Sequence, residues 1–220
     1  MTYSLLLAHP ASRTLAVATA SFSLAVGKAV PAVLPGIGAV VSQAYTNTRL
    51  RGPLLRMLES GQHPAAALAK LAILDTDPAR RQVGLLAADG SHAAHTGTDC
   101  SDWAGHRSAP GILVIGNLLT GPDVVDGMLA SLTTSPLVTS ALVSGADAAA
   151  HDIARRAVSA LRTGLAAGGD RRGQQSSALQ VAAGGRDSDW PPALTVDLRV
   201  DDHGHPLDEL DRMLDLKFGA

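Results

Sequence analysis

The chain has 220 residues, 46% apolar and 17% charged, with a net charge of −2 and one cysteine. That length suits one substantial core or at most two small ones, and one domain over residues 1–220 is the default. Scattered basic residues and only 3% aromatics argue against a nucleic-acid partner, and the lone Cys100 excludes an intrachain disulfide and a four-cysteine zinc site. No apolar stretch reaches about 18 residues uninterrupted, and Leu5 to Ala8 is too short for a signal-peptide core, so a cytoplasmic protein with no membrane partner is expected.

The chain opens Met1-Thr2-Tyr3-Ser4, followed by the apolar run Leu5-Leu6-Leu7-Ala8. Aminopeptidases trim methionine before a small residue, and the cut leaves Thr2 with a free α-amine of pKa about 8. That amine is a base able to activate the hydroxyl of its own residue. The plain alternative is a Met-Thr start without catalytic meaning.

In chain order, Thr2 to Ala8 and Arg13 to Ala20 are rich in strand formers and are predicted to pair as a hairpin through His9-Pro10-Ala11-Ser12. Ala29 to Leu34 reads as an extended piece that Pro31 marks as edge or irregular, and Gly36 to Ser42 as a fourth strand. Leu50, Leu54, Leu55 and Leu58 then recur at helical spacing, and His63-Pro64 opens a second helix carrying Ala67, Leu68, Leu71 and Leu74. Strands return at Gln82 to Ala87 and His92 to Gly97, joined through Asp89-Gly90. After a polar loop from Thr98 to Pro110, Gly111 to Leu119 is another strand.

Helices are predicted from Pro122 to Leu132 and from Ala146 to Ala167, the second ended by Gly168-Gly169. Strands follow at Ser177 to Ala183 and Leu194 to Val200, with a polar turn from Gly184 to Asp189 before Trp190. The last helix runs from Leu207 to Leu216. Hairpin-linked strands with helices arriving in pairs predict an α+β protein of two antiparallel sheets covered by helix layers.

Three further constellations could carry chemistry. Gly168-Gly169-Asp170-Arg171-Arg172-Gly173 sets charges among glycines, where Asp170 can orient an ammonium or hydroxyl and an arginine can hold a carboxylate; the alternative is a capped helix and a solvated turn. Cys100, Asp102 and His106 suggest a thiol nucleophile, against a loop clamped by Trp103. Asp197, Asp201, Asp202, His203 and His205 are dense enough for a divalent metal, against pairing with arginines or capping of the last helix by Asp208. His92 and His95, three apart in a strand, face opposite sides.

Met1-Thr2-Tyr3-Ser4, Val40-Val41-Ser42-Gln43-Ala44-Tyr45-Thr46-Asn47, Cys100-Ser101-Asp102-Trp103-Ala104-Gly105-His106, Gly116-Asn117-Leu118-Leu119 and Ala167-Gly168-Gly169-Asp170-Arg171-Arg172-Gly173 occur in this order. Together they resemble a bacterial domain-of-unknown-function family grouped with the N-terminal nucleophile (Ntn) hydrolases. The resemblance implies a four-layer αββα sandwich and a nucleophile at the first residue of the mature chain, a place Thr2 fits. It also implies amide cleavage without naming a substrate.

On that basis the expected activity is a small-molecule amidohydrolase without metal or cofactor. Thr2 attacks, Asp170 positions its α-ammonium, and an oxyanion is held near Ser42 or by Asn117. Arg171 and Arg172 bind an acidic group, with Gln43, Trp103 and His106 also facing substrate; Lys28 could lower the pKa of the nucleophile. A homo-oligomer is expected from the many small residues. The rival expectations are a non-catalytic binding or assembly module on the same fold, and a metal-dependent hydrolase using Asp201, Asp202 and His203.

Overall fold

Eight consecutive residues, Thr2–His9, form strand β1, and all are buried because alternate side chains enter two different cores. Tyr3, Leu5 and Leu7 face one core, Leu6 and Ala8 the other, and the period of two puts Thr2 and Ser4 on the side of Leu6. The computed structural model describes residues 2–9, 11–134, 141–185 and 192–219, with the backbone alone at 141–146.

After β1 come β2 (Thr14–Ser21), α1 (Val26–Ala29), β3 (Pro31–Leu34), β4 (Gly38–Ala44), α2 (Arg51–Glu59), α3 (Pro64–Leu68) and α4 (Leu71–Leu74). The chain continues through β5 (Arg81–Ala87), β6 (His92–Thr96), β7 (Gly105–Ala109), β8 (Ile112–Asn117), α5 (Asp123–Thr133) and α6 (Ala141–Ala166). It closes with β9 (Ser176–Ala182), β10 (Val196–Val200) and α7 (Pro206–Phe218). The strands form a six-stranded sheet in the order β10-β9-β2-β1-β8-β7 and a four-stranded sheet in the order β3-β4-β5-β6. Every pairing is antiparallel.

Three apolar clusters show how these pieces stack. Leu6, Val17 and Ile115 of the larger sheet meet Val41 and Leu86 of the smaller one. Leu5, Val114 and Leu179, on the other face of the larger sheet, pack against Met128 of α5, Leu161 of α6 and Leu210 of α7. Val40, Val83 and Leu85 pack outward against Leu54 and Leu58 of α2 and Leu68 of α3. Each fully buried leucine contributes about 2 kcal/mol, so the sheet–sheet and sheet–helix contacts together hold the molecule.

The two antiparallel sheets agree with expectation, whereas several boundaries do not. β7 lies inside the predicted Thr98 to Pro110 loop. Its sequence, Gly-His-Arg-Ser-Ala, lacks apolar alternation because it is the edge strand of its sheet and half its side chains reach solvent. The predicted strand from Ala29 begins as the end of α1, and only Pro31–Leu34 is extended, at the edge that Pro31 requires. The single helix predicted from Pro64 to Leu74 is split in two at Lys70, and the long helix starts at Ala141 rather than Ala146. Met1, Pro10 and the part of the predicted turn that reaches Asp189 and Trp190 lie outside the described residues. Among the described residues, no helix is long and apolar enough to cross a membrane.

Candidate functional site

β1 begins where β2, β4 and β8 end, so their termini share one end of the sandwich. The inward side chains there are polar. Thr2 is 5% exposed, and its Oγ1 donates to Ser21 Oγ at 3.2 Å. Ser4 Oγ lies 2.8 Å from Thr19 Oγ1 and 2.7 Å from Gln43 Oε1. Gln43 Nε2 donates to the Thr2 carbonyl at 3.2 Å and to Gln82 Oε1 at 2.9 Å, and Asn117 Nδ2 donates to the same Gln82 Oε1 at 2.9 Å. Gln82 Nε2 in turn donates to the Gly116 carbonyl at 2.7 Å. Buried amides and hydroxyls thus satisfy one another across the two sheets and hold the backbone of residue 2 from both.

Two left-handed residues bound this network. Ala44, directly after Gln43, has φ 68°, and Leu118, directly after Asn117, has φ 54°. A non-glycine residue in that region costs about 1 kcal/mol, and such strain concentrates where a fold over-determines its geometry. Beyond Asn117 the chain meets two other glycine-bearing segments. The Leu118 N–H donates to the Ser101 carbonyl, Leu119 and Trp103 exchange backbone hydrogen bonds, and Leu119 bridges Asp170. Gly168 permits this approach: it has φ 116°, and a Cβ there would sit 2.2 Å from Thr120 Oγ1.

Asp170 is 5% exposed. Its carboxylate accepts the Phe22 N–H at 2.8 Å and the Arg172 N–H at 2.8 Å, and it pairs with the Arg172 guanidinium at 3.3 Å. Arg172 also lies over the Phe22 ring. The bond to Phe22 brings Asp170 within one residue of Ser21, the hydroxyl partner of Thr2. Arg171 donates to the Leu119 carbonyl.

The sequence-predicted residues therefore divide into groups. Thr2, Gln43 and Asn117 meet directly, and Asp170, Arg172 and Arg171 gather at the adjoining turn. Ser42 takes the opposite face of β4 from Gln43, so it is not brought to Thr2: its Oγ donates to the Asn47 carbonyl at 3.0 Å and closes that turn. Trp103 packs against the helix-side core with Arg107 over its ring, and His106 stands on the edge strand β7, where partial desolvation of its ring, then the charges of Arg107 and His92, lower its pKa. Lys28 lines a separate cleft that includes none of Thr2, Gln43, Asn117 or Asp170.

Cys100 is buried with its Sγ donating to the Arg81 carbonyl, and burial pushes its thiol pKa up, which disfavours the thiolate a nucleophile needs. His203 accepts the His205 N–H and Asp202 accepts from Gln175. Among the described residues, no three His, Cys, Asp or Glu side chains converge as a metal site would require.

Sequence reasoning passed over Ser4, Thr19, Ser21 and Gln82. Ser4 and Thr19 carried a signal, since each is polar at a strand position two residues from a core-facing one, Leu6 and Val17.

Tyr3 faces the other side of β1 and ends without a partner. Its Oη is buried with no hydrogen bond among the described residues, and burial, then the charge of Asp170, push its pKa up, so it stays a neutral phenol. A buried hydroxyl without a partner destabilises, so Tyr3→Phe is expected to raise the unfolding free energy by about 1 kcal/mol in urea titrations. A loss of that size would show that the hydroxyl has a partner in solution.

Residues 2–210 match the family described as "Family of unknown function (DUF1028)". The chain belongs to the DUF1028 family. The crystal structure of protein SPO2555 from Silicibacter pomeroyi, which carries the same DUF1028 designation, is similar to it. The TM-score is 0.78 and the identity 28%, over 98% of this chain and 88% of that one. No curated protein matches this DUF1028 chain.

Proposed function

We propose that the chain is an amide hydrolase of the N-terminal nucleophile type, acting on a small molecule through Thr2. The observation that carries the reading is the grip on residue 2: a threonine at the first position of a buried strand, its carbonyl held by Gln43 and its hydroxyl by Ser21. Helix layers outside two stacked antiparallel sheets support reading the fold as the αββα sandwich of that superfamily.

In the proposed reaction, loss of Met1 frees the Thr2 α-amine. Thr2 Oγ1 attacks the amide carbonyl as the amine takes its proton, and the tetrahedral oxyanion collapses to a threonyl ester as that proton passes to the departing amine. Water, deprotonated by the same amine, then attacks the ester carbonyl, the bond to Thr2 Oγ1 breaks as the ammonium returns the proton to that oxygen, and the acid leaves. Each oxyanion donor is worth roughly 3 kcal/mol of barrier. Gln43 Nε2 and Asn117 Nδ2 already donate to Gln82, so in this reading they fix the strand end and backbone N–H groups supply the oxyanion donors. Asp170 supplies negative charge beside Ser21 and Phe22, and in this reading the half-exposed Arg172 holds an acidic group on the substrate.

The test is mass spectrometry on protein purified from its native host and treated with an acylating β-lactone. Loss of Met1 and one acyl group on the peptide that starts at Thr2 are the expected results. A chain that keeps Met1 and takes no label instead supports a binding or assembly module, the reading favoured by the burial of Thr2 and the mutual satisfaction of its polar neighbours.

A further inference from the structure

The six-stranded sheet is wider than the four-stranded sheet stacked on it, so inward-facing positions of β9 and β10 extend past the edge strand β3. Gln180 stands opposite Val17 of the inter-sheet core and opposite Asp197, while Arg199 stands opposite Ala178. α1 and α2 close the remaining sides and leave a cleft of about 770 Å³. α1 lies this close because residue 27 is glycine: a Cβ there would be 2.6 Å from Ala178 Cβ and 3.0 Å from Arg199 Cγ.

The lining is electrically unbalanced. Among the described residues, Lys28, Arg49, Arg51, Arg56 and Arg199 face Glu59 as the one lining carboxylate. Arg199 pairs with Asp197 at 2.7 Å; among the described residues the other four cations form no ion pair. Arg51 Nη1 is held by the carbonyls of Lys28 at 3.0 Å and Pro31 at 2.8 Å. Burial, then the charge of Arg199, lower its pKa, as expected for two guanidiniums that share one space.

Ala32, Leu34 and Leu55 supply an aliphatic wall, and among the described residues no aromatic ring lines the cleft. Gln180, 5% exposed, forms part of the lining, and its buried Oε1 has no hydrogen-bond partner among the described residues.

Like charges converging on a concave surface raise the local concentration of anions, and a buried acceptor without a donor is relieved by an incoming N–H or O–H. The aliphatic wall accepts methylenes, while a nucleobase would find no ring to stack on. We propose that this cleft binds a small amphipathic anion. Its oxyanion group sits among Lys28, Arg51 and Arg199, its aliphatic part lies against Leu34 and Leu55, and its N–H or O–H is given to Gln180. The volume lies in the range of small-molecule sites. The proposal is independent of the chemistry at Thr2.

The experiment is calorimetric titration of the purified protein with N-hexanoylglutamate, with its uncharged bis-amide and with inorganic phosphate. N-hexanoylglutamate is expected to bind, the bis-amide at least about tenfold more weakly, and phosphate to compete. Lys28→Gln and Arg199→Gln should each weaken binding about fivefold or more. Arg212→Gln, on α7 and paired with Glu209, should leave it unchanged. Gln180→Leu should weaken binding while raising the thermal midpoint, a combination that a purely structural glutamine does not produce. Equal affinity for the bis-amide, absence of binding by both N-hexanoylglutamate and phosphate, or cleft substitutions without effect would overturn the proposal.

Discussion

Thr2→Ala is expected to abolish hydrolysis, lowering kcat/KM by at least about 10³-fold on any N-acyl amino acid that the wild-type chain cleaves. A drop of that size corresponds to roughly 4 kcal/mol of transition-state stabilisation. The folded state should barely notice. Among the described residues the Thr2 side chain makes one hydrogen bond, to Ser21, and losing it costs about 1 kcal/mol. The carbonyl of residue 2 is still held by Gln43 whatever its side chain. Thr2→Ser keeps both hydroxyl and amine and should retain measurable turnover. Kinetics and urea unfolding on the three proteins, each verified by mass at its N-terminus, check this. Undiminished turnover by Thr2→Ala would end the nucleophile reading.

The second large effect is on stability. Asp75, between α4 and β5, has a side chain only 1% exposed, and its Oδ2 accepts from Arg81 Nε at 2.8 Å and from Asn47 Nδ2 at 2.7 Å. Its Oδ1 accepts the Asp77 N–H at 2.8 Å. Asp75→Ala strands the Arg81 guanidinium, itself 17% exposed, and should cost about 3–5 kcal/mol of unfolding free energy. The loss reaches the candidate site, because Asn47 closes the turn after Gln43 through Ser42 and Arg81 holds the Tyr45 carbonyl.

The same carboxylate sets a pH dependence. The hydrogen bond from Arg81, with smaller help from Asn47 and the Asp77 N–H, holds its pKa at about 2 against an ordinary 3.8, even though burial works in the opposite direction. A pKa depressed in the folded state stabilises fully above the unfolded value. That contribution, roughly 2 kcal/mol, is lost as pH falls from about 4 to about 2. Urea unfolding at pH 6 and pH 3 should therefore show a shallower acid decline in Asp75→Ala than in wild type. Equal declines, or a variant within 1 kcal/mol of wild type at pH 6, would remove Asp75 from this role.

Where apolar residues alternated or recurred every three to four positions, the sequence was readable. Leu5, Leu6 and Leu7 read as part of a strand, Asp89-Gly90 as a hairpin turn, and Leu54, Leu55 and Leu58 as one face of a helix, and the structure has all three. β7 escaped because an edge strand with a wet face needs no apolar pattern. Ser42 and Gln43 were equally plausible neighbours of Thr2 on paper. Adjacent strand residues face opposite sides, and only the pairing of β4 against β5 and its stacking on β1 settles which one turns inward.

The chemical types of the residues around Thr2 and Asp170, and their order, are written in the chain. That Gln82 joins Gln43 to Asn117, that Ala44 and Leu118 turn left-handed beside them, and that a wider sheet overhangs a narrower one to open a cationic cleft belong to the tertiary structure alone. The reason is physical. Periodicity reports which face of one element is apolar, whereas a site is made by ends and edges of several elements, whose meeting is decided by how the sheets pair and stack.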